Sequence, residues 1–367
     1  MKKFIIVLLC CMIMPLSACG QNYHGDSIDA QALANHIQAG EEDFLVESLD
    51  LYASYLSAEE YDLLVEEFNG EFAGIGVYFT QNPDDKTCIF FSVMPNYPAD
   101  KAGLEAGDQL VKIDGEGLDN LSQNEIATIL RGEEGTKVKL TIFRPSTEKT
   151  FNVYLTREII KNVTVTGQFI EGKKGLAYIS VVEFTSKTAT EFWETYQDLK
   201  NQEEIRGLII DLRNNGGGSV LASLQMLEYF IPKDNVLMHE QFKEGLLSTS
   251  SSGKGQIQVP VACLQNMNTA SASEIFIGAM KDYAKAVIIG EQSFGKGITQ
   301  NISSLSNGRA IRYTQSRYLT PNRYDLHGIG IMPDYEVKMT GDDVFKRILE
   351  VNPKVDPQLT KAVELLS

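Results

Sequence analysis

Ser271 and Lys296 combine the residue types and spacing of a serine hydrolase that works without histidine. Ser271 lies in Met267-Asn-Thr-Ala-Ser271-Ala-Ser273-Glu274-Ile275, at a predicted helix start. Lys296 follows 25 residues later, in Ser293-Phe-Gly295-Lys296-Gly297-Ile-Thr-Gln300. A serine hydroxyl is a weak nucleophile at neutral pH and must pass its proton to a base as it attacks. A lysine serves as that base only if its pKa falls from about 10.4 toward roughly 7–8, which burial among apolar groups brings about. Lys296 follows the apolar run Ala286-Val-Ile-Ile289, and its flanking glycines place it on a tight turn leaving a buried strand. Gln300, four residues on, offers a side-chain amide to orient the lysine. None of the four histidines (His24, His36, His239, His327) is close in sequence to Ser271.

Each residue also has a structural reading. Ser271-Ala-Ser-Glu274 fits the S/T-x-x-E capping box, in which the serine satisfies orphan amides at a helix start. The two roles are compatible, because a helix start also presents free N–H groups to a developing oxyanion. Lys296 alone reads as a solvated lysine in a glycine turn. Ser273 is the rival nucleophile.

The segment from Thr269 to Gln300, TASASEIFIGAMKDYAKAVIIGEQSFGKGITQ, resembles the signature of the carboxyl-terminal processing peptidases, or tail-specific proteases. That resemblance implies that Ser271 is the nucleophile, Lys296 the base and Gln300 the support of the lysine, with the family's spacing selecting Ser271 over Ser273. Leu208-Ile-Ile-Asp211-Leu-Arg213-Asn-Asn215-Gly-Gly-Gly218 is similar to the family's strand and glycine-rich loop. By that likeness the amides of Gly217 and Ala272 form the oxyanion hole. Asp211 and Arg213 read as a structural pair holding the loop. Tyr313 to Pro321, Gly328 to Asp334 and Asp356 to Leu366 match the family's closing segments. Ser48-Leu-Asp-Leu-Tyr52-Ala-Ser-Tyr-Leu56 resembles its N-terminal helical unit, with Leu51 where proline is usual. The implied fold class is α/β, a ClpP/crotonase-like core with an inserted PDZ domain and an N-terminal helical segment.

Residues 71–158 alternate short apolar runs with glycine turns: Ile75 to Phe79, Cys88 to Val93, Gln109 to Ile113 and Val138 to Phe143. Met94 to Gly115 looks like the core of a PDZ domain, and Ser122-Gln-Asn-Glu125 is a second capping box, opening a helix to Leu130. PDZ domains bind an extended peptide as an added strand and capture its free carboxylate. The matching loop runs through Gly74, Ile75, Gly76 and Val77, whose glycines read otherwise as a bend in an edge strand.

The start, Met1-Lys2-Lys3 and then an apolar run from Phe4 to Met14, reads as a signal peptide over residues 1–18. Leu16-Ser17-Ala18-Cys19 resembles a bacterial lipobox, so Cys19 is expected to be lipidated, with 19–26 as tether. An extracytoplasmic, membrane-anchored lipoprotein follows from this reading. The 33 basic residues less Lys2 and Lys3 leave 31 against 49 acidic, a balance of −18. Such acidity argues against nucleic acid as partner. Cys10 and Cys11 leave with the signal peptide, and Cys88 and Cys263 lie in separate apolar runs that suit core positions rather than a disulfide. No metal-ligand spacing occurs, and the proposed chemistry needs neither metal nor cofactor.

The expected organisation continues with an N-terminal helical segment at 27–70 (Leu33, Ile37, Phe44, Leu45, Leu49, Leu63, Leu64, Phe68), the PDZ domain at 71–158, the peptidase core at 159–343 and a helical tail at 344–367. In the core, strands at Leu176 to Val182, Leu208 to Leu212, Val259 to Leu264 and Ala286 to Ile289 alternate with helices at about 188–201, 219–230 and 273–283, the pattern of an α/β layer. The serine-rich stretch from Gly245 to Gly255 reads as a surface loop. Its Ser251-Ser-Gly-Lys254 matches S-x-x-K, without the Lys-Thr-Gly partner of a penicillin-recognising enzyme. The expected partners are proteins or peptides with free C-termini, and an adaptor protein. The competing functions are a catalytically silent membrane-tethered PDZ scaffold and a Ser-Lys amidase or esterase.

Overall fold

The computed structural model describes residues 52–69, 71–82, 86–161, 163–242, 245–305, 308–339, 348 and 351–367. The expected signal peptide, Cys19, the expected tether and the positions from Leu33 to Leu49 expected to be helical lie outside the described residues. The described residues divide into two compact units, one within 62–162 and the other combining 52–61 with 163–367.

A short strand β1 (Ser54–Leu56) and helix α1 (Ala58–Asn69) come first. The first unit then contains β2 (Glu71–Gly74), β3 (Val77–Gln81), β4 (Cys88–Val93), a short turn of helix α2 (Pro98–Lys101), β5 (Gln109–Ile113), β6 (Glu116–Gly117), α3 (Gln123–Leu130), β7 (Lys137–Arg144), β8 (Lys149–Thr156) and β9 (Glu158–Lys161). Its main sheet has the order β3-β4-β5-β7-β8, so β3 is an edge strand. Cys88, Phe90, Leu110, Ile126, Leu140 and Ile142 form a buried cluster beneath it. Alternation in β7 puts Val138, Leu140 and Ile142 inside, as period-two patterning requires.

The second unit holds β10 (Val165–Phe169), β11 (Leu176–Val181), α4 (Thr188–Gln202), β12 (Gly207–Asp211), α5 (Val220–Leu227), β13 (Val236–Gln241), β14 (Leu246–Ser250), β15 (Val261–Gln265), α6 (Ala272–Asp282), β16 (Ala286–Gly290), β17 (Ile298–Ser304), β18 (Ala310–Leu319), β19 (Tyr335–Glu336) and α7 (Pro357–Leu366). Its central sheet runs β10-β11-β12-β15-β16-β19, parallel from β11 onward. Parallel strands are covered on both faces and read as continuous apolar runs. Accordingly β12 and β15 are buried at every position. One face packs Phe192, Phe230 and Phe276 with Ile210 and Cys263, and the other packs Leu359, Ala362 and Val363 of α7 against Ile209, Ala262 and Leu264. The C-terminal helix is thus part of the core. A second sheet, β1-β18-β13-β14 with β17 on β18, completes the unit.

Two expectations change. Ser54–Leu56 is a strand, because its backbone finds partners along β18 from Ala310 to Arg312. Within the serine-rich stretch, Leu246–Ser250 pairs with β13 as a hairpin. Ser251 is buried with its hydroxyl donating to the Ile231 carbonyl at 2.8 Å, which commits that S-x-x-K serine to structure. Cys88 and Cys263 are free, buried thiols, as expected of core positions. Burial pushes the Cys88 thiol up to about 12.

Candidate active site

Parallel strands deliver their following loops to one edge of the sheet, and three such loops meet around Ser271. The turn after β15 is pinned first. Thr269 Oγ1 donates to the Leu212 carbonyl at 2.9 Å, and Ala270 N–H donates to the Asn215 carbonyl at 3.0 Å. Between these anchors and α6, Ser271 takes φ 57° and ψ −121°. A non-glycine residue held there costs on the order of 1–3 kcal/mol, and such strain collects at functional sites. Ser271 is half-buried, and the Glu274 N–H donates to its carbonyl at 2.8 Å. Ser273, the rival, is fully buried and donates to the Asn215 carbonyl at 3.1 Å.

Glu274 does more than close a capping box. It is fully buried, and its Oε1 accepts from Ser293 Oγ at 2.5 Å and from Gly295 N–H at 2.7 Å. Its Oε2 accepts from the N–H of Ser271 at 2.9 Å and of Lys296 at 2.8 Å. One carboxylate oxygen therefore holds the backbones of both residues. Burial raises the Glu274 pKa above the ordinary carboxylate range, against the lowering effect of its four donors. The opposite polarity is supplied by Tyr318, whose hydroxyl reaches the carbonyls of Lys296 at 2.6 Å and Ser271 at 3.0 Å.

Lys296 is half-buried, on a turn whose glycines are sterically required. A Cβ at Gly295 (φ +89°) would meet Gly330 N at 2.7 Å, and one at Gly297 would meet His327 N at 2.8 Å. Gln300, on β17, donates its side-chain amide to the Tyr52 carbonyl at 3.0 Å. His327 lies against this turn at Gly297, with its Nε2 at 3.4 Å from Tyr52 Oη and its buried Nδ1 without a hydrogen-bond partner among the described residues. Burial, and then Arg317, lower the His327 pKa.

The glycine-rich loop after β12 lies directly against Ser271. A Cβ at Gly217 (φ +106°) would stand 2.7 Å from Ser271 Cβ and 2.9 Å from Ala272 N. Gly217 N–H donates to Asn215 Oδ1 at 2.9 Å, so that amide must leave its partner before it can serve an oxyanion. Ala272 opens α6, where helix amides have no intrahelical acceptor. The loop is braced from below. Arg213, fully buried, bonds Asp211 and reaches Asp356 Oδ2 at 2.7 Å and Gln358 Oε1 at 3.0 Å, while Tyr178 donates to Asp211 at 2.7 Å. The structural reading of Asp211 and Arg213 agrees with this, and Asp356, the N-cap of α7, is the partner that sequence distance hid.

In the other unit, Gly74 to Val77 joins β2 to β3 at the sheet edge. Gly76 (φ +79°) is required, since a Cβ would fall 2.5 Å from Tyr97 Cβ. The Ile75 and Gly76 carbonyls accept from Ala99 and Met94, each at 2.9 Å. Ser122 and Glu125 form the expected capping box at the start of α3. The far end of β3 is tied to that helix start, with Gln81 N–H donating to Gln123 Oε1 at 3.1 Å.

A strained serine at a helix start shares a buried carboxylate with the lysine turn at the carboxyl end of the parallel sheet, the arrangement expected of a serine hydrolase. The pattern of Peptidase family S41 matches residues 175–337, and that of a PDZ domain matches residues 91–144. A carboxyl-terminal-processing protease of Synechocystis sp. is 32% identical over 318 residues, covering 86% of this chain and 73% of that one. A carboxy-terminal-processing protease of Bartonella bacilliformis is 33% identical over 304 residues, covering 82% and 69%. The solved photosystem II D1 C-terminal processing protease superposes with a TM-score of 0.51 at 29% identity, covering 80% of each chain. The chain belongs to the family of carboxyl-terminal-processing serine proteases and carries a PDZ domain.

Proposed function

We propose that Ser271 is the nucleophile, Lys296 the general base and Gln300 the group that orients the lysine, in an endopeptidase that selects substrates by their C-termini. The observation that carries this reading is the shared Glu274 oxygen, which joins the backbones of Ser271 and Lys296 across 25 residues of chain. In the reaction, Ser271 Oγ attacks the scissile carbonyl while its proton passes to Lys296 Nζ. The developing oxyanion is met by the Ala272 amide, and by that of Gly217 once it leaves Asn215. Lys296 then protonates the leaving amine, and water hydrolyses the acyl-enzyme by the same path in reverse.

Substrate delivery falls to the open edge of β3, where a peptide adds as a strand and the Gly74, Ile75, Gly76 and Val77 loop takes its terminal carboxylate. The lipobox-like Cys19 supports a bacterial lipoprotein tethered outside the cytoplasm, acting on extracytoplasmic proteins, with an adaptor as a further partner. The test is cleavage of one unfolded substrate bearing a free or an amidated C-terminus. The free tail is expected to be cut faster. Equal rates would remove tail selection, and no cleavage of either would favour a silent scaffold.

A further inference from the structure

Tyr318 stands near the end of β18, 1% exposed, and nothing in its own segment explains where its hydroxyl points. That hydroxyl lies 2.6 Å from the Lys296 carbonyl and 3.0 Å from the Ser271 carbonyl, residues 22 and 47 positions away. A phenol has one proton to give, so two carbonyls converging on it share that proton. The shorter bond holds the lysine turn and the longer one steadies the serine. Its backbone grips the same turn, with Tyr318 N–H donating to the Gly297 carbonyl at 3.1 Å. Burial, and then the charge of Glu274, hold its pKa well above the ordinary phenol value, so it remains a donor.

Set against Glu274, the arrangement is two-sided. Glu274 Oε2 accepts from the amides of Ser271 and Lys296, and Tyr318 donates to the carbonyls of the same two residues. A residue gripped at both its N–H and its C=O has its Cα–Cβ direction fixed. For Ser271, at φ 57°, this matters most, because relaxation would swing its hydroxyl away.

We propose that Tyr318 is a positioning residue for catalysis, its buried hydroxyl bridging the carbonyls of Ser271 and Lys296 and thereby setting the geometry of proton transfer between their side chains. This rests on the assignment of those two residues as nucleophile and base. Tyr318→Phe keeps the ring and removes one oxygen. A misplacement of reacting groups by about 1 Å costs on the order of 10²-fold in rate. The expected result is a kcat lower by about 10- to 100-fold with KM nearly unchanged. Labelling of the serine by a peptidyl phosphonate, normalised to folded protein by circular dichroism, slows in parallel. Tyr283→Phe is the control. Its hydroxyl donates to the Val236 carbonyl at 2.9 Å, in a bond of the same kind at the other end of α6. It should lose stability and keep wild-type turnover. Wild-type kcat and labelling in folded Tyr318→Phe would overturn the proposal, as would an equal loss of kcat in Tyr283→Phe. Undiminished cleavage by Ser271→Ala would instead overturn the underlying assignment, whatever Tyr318→Phe does.

Discussion

Glu274→Gln probes the centre of the site with a near-isosteric change. The carboxylate accepts four hydrogen bonds, two on each oxygen, from Ser293 Oγ and from the amides of Gly295, Ser271 and Lys296. A glutamine offers one accepting oxygen, and its NH2 group must face two of those donors whichever way it is turned. Each buried donor left without an acceptor costs about 1–3 kcal/mol, so the gross penalty is about 2–6 kcal/mol. Relief of a buried charge returns part of it. With about 2–4 °C per kcal/mol for a unit of this size, the melting temperature should fall by several degrees. If the oriented NH2 group displaces the Ser271 and Lys296 amides, kcat should fall further than stability predicts. Thermal melting and peptide turnover read the two effects separately. A Glu274→Gln variant with wild-type melting temperature and kcat would refute the bridging role. The pH dependence has a definite sign. Protonation removes an acceptor, so the acid limb of activity should begin above the ordinary carboxylate range, since burial raises this pKa. Stability runs the other way. A folded-state pKa above the unfolded value contributes stability at low pH that is lost as pH rises through the folded value.

Three further outcomes follow from other contacts. Lys296→Arg should be inactive in peptide cleavage while remaining folded, because guanidinium cannot give up its proton near neutral pH; near wild-type turnover would make Lys296 structural. Asp356→Ala leaves the fully buried Arg213 without one of its two carboxylates and α7 without its N-cap. It should cost about 3–5 kcal/mol in denaturant unfolding and lower activity through the glycine-rich loop, and a neutral effect would contradict the bracing role. Gly76→Ala forces a Cβ to within 2.5 Å of Tyr97 Cβ at φ +79°, and should erase the preference for a free C-terminus while a small ester substrate is turned over normally. An unchanged tail preference would place carboxylate capture elsewhere.

Much of this architecture was legible because local signals carried it. The apolar runs that become β11, β12, β15 and β16 have the length and continuity of buried parallel strands, and Ser271-Ala-Ser-Glu274 announced a helix start. Contacts between distant segments were not legible. Glu274 looked like a capping residue because the sequence shows its relation to Ser271, three residues away, and hides Ser293, Gly295 and Lys296, which the fold brings to it. The links of Tyr318 to the site and of Asp356 to Arg213 were hidden, since those partners lie 22 to 143 residues away. Ser54–Leu56 and Leu246–Ser250 became strands because neighbouring strands were available to pair with them, a tertiary effect that such short stretches do not advertise. The steric need for glycine at 217 and 218, and the engagement of the Gly217 amide by Asn215, are details of the folded loop.

The most direct test of the central claim is the identity of the residue modified by a peptidyl phosphonate, read by mass spectrometry of the labelled protein. A single adduct on Ser271 is expected, with labelling and cleavage both absent from a folded Ser271→Ala variant. An adduct on Ser273, or continued peptide cleavage by Ser271→Ala, would contradict it.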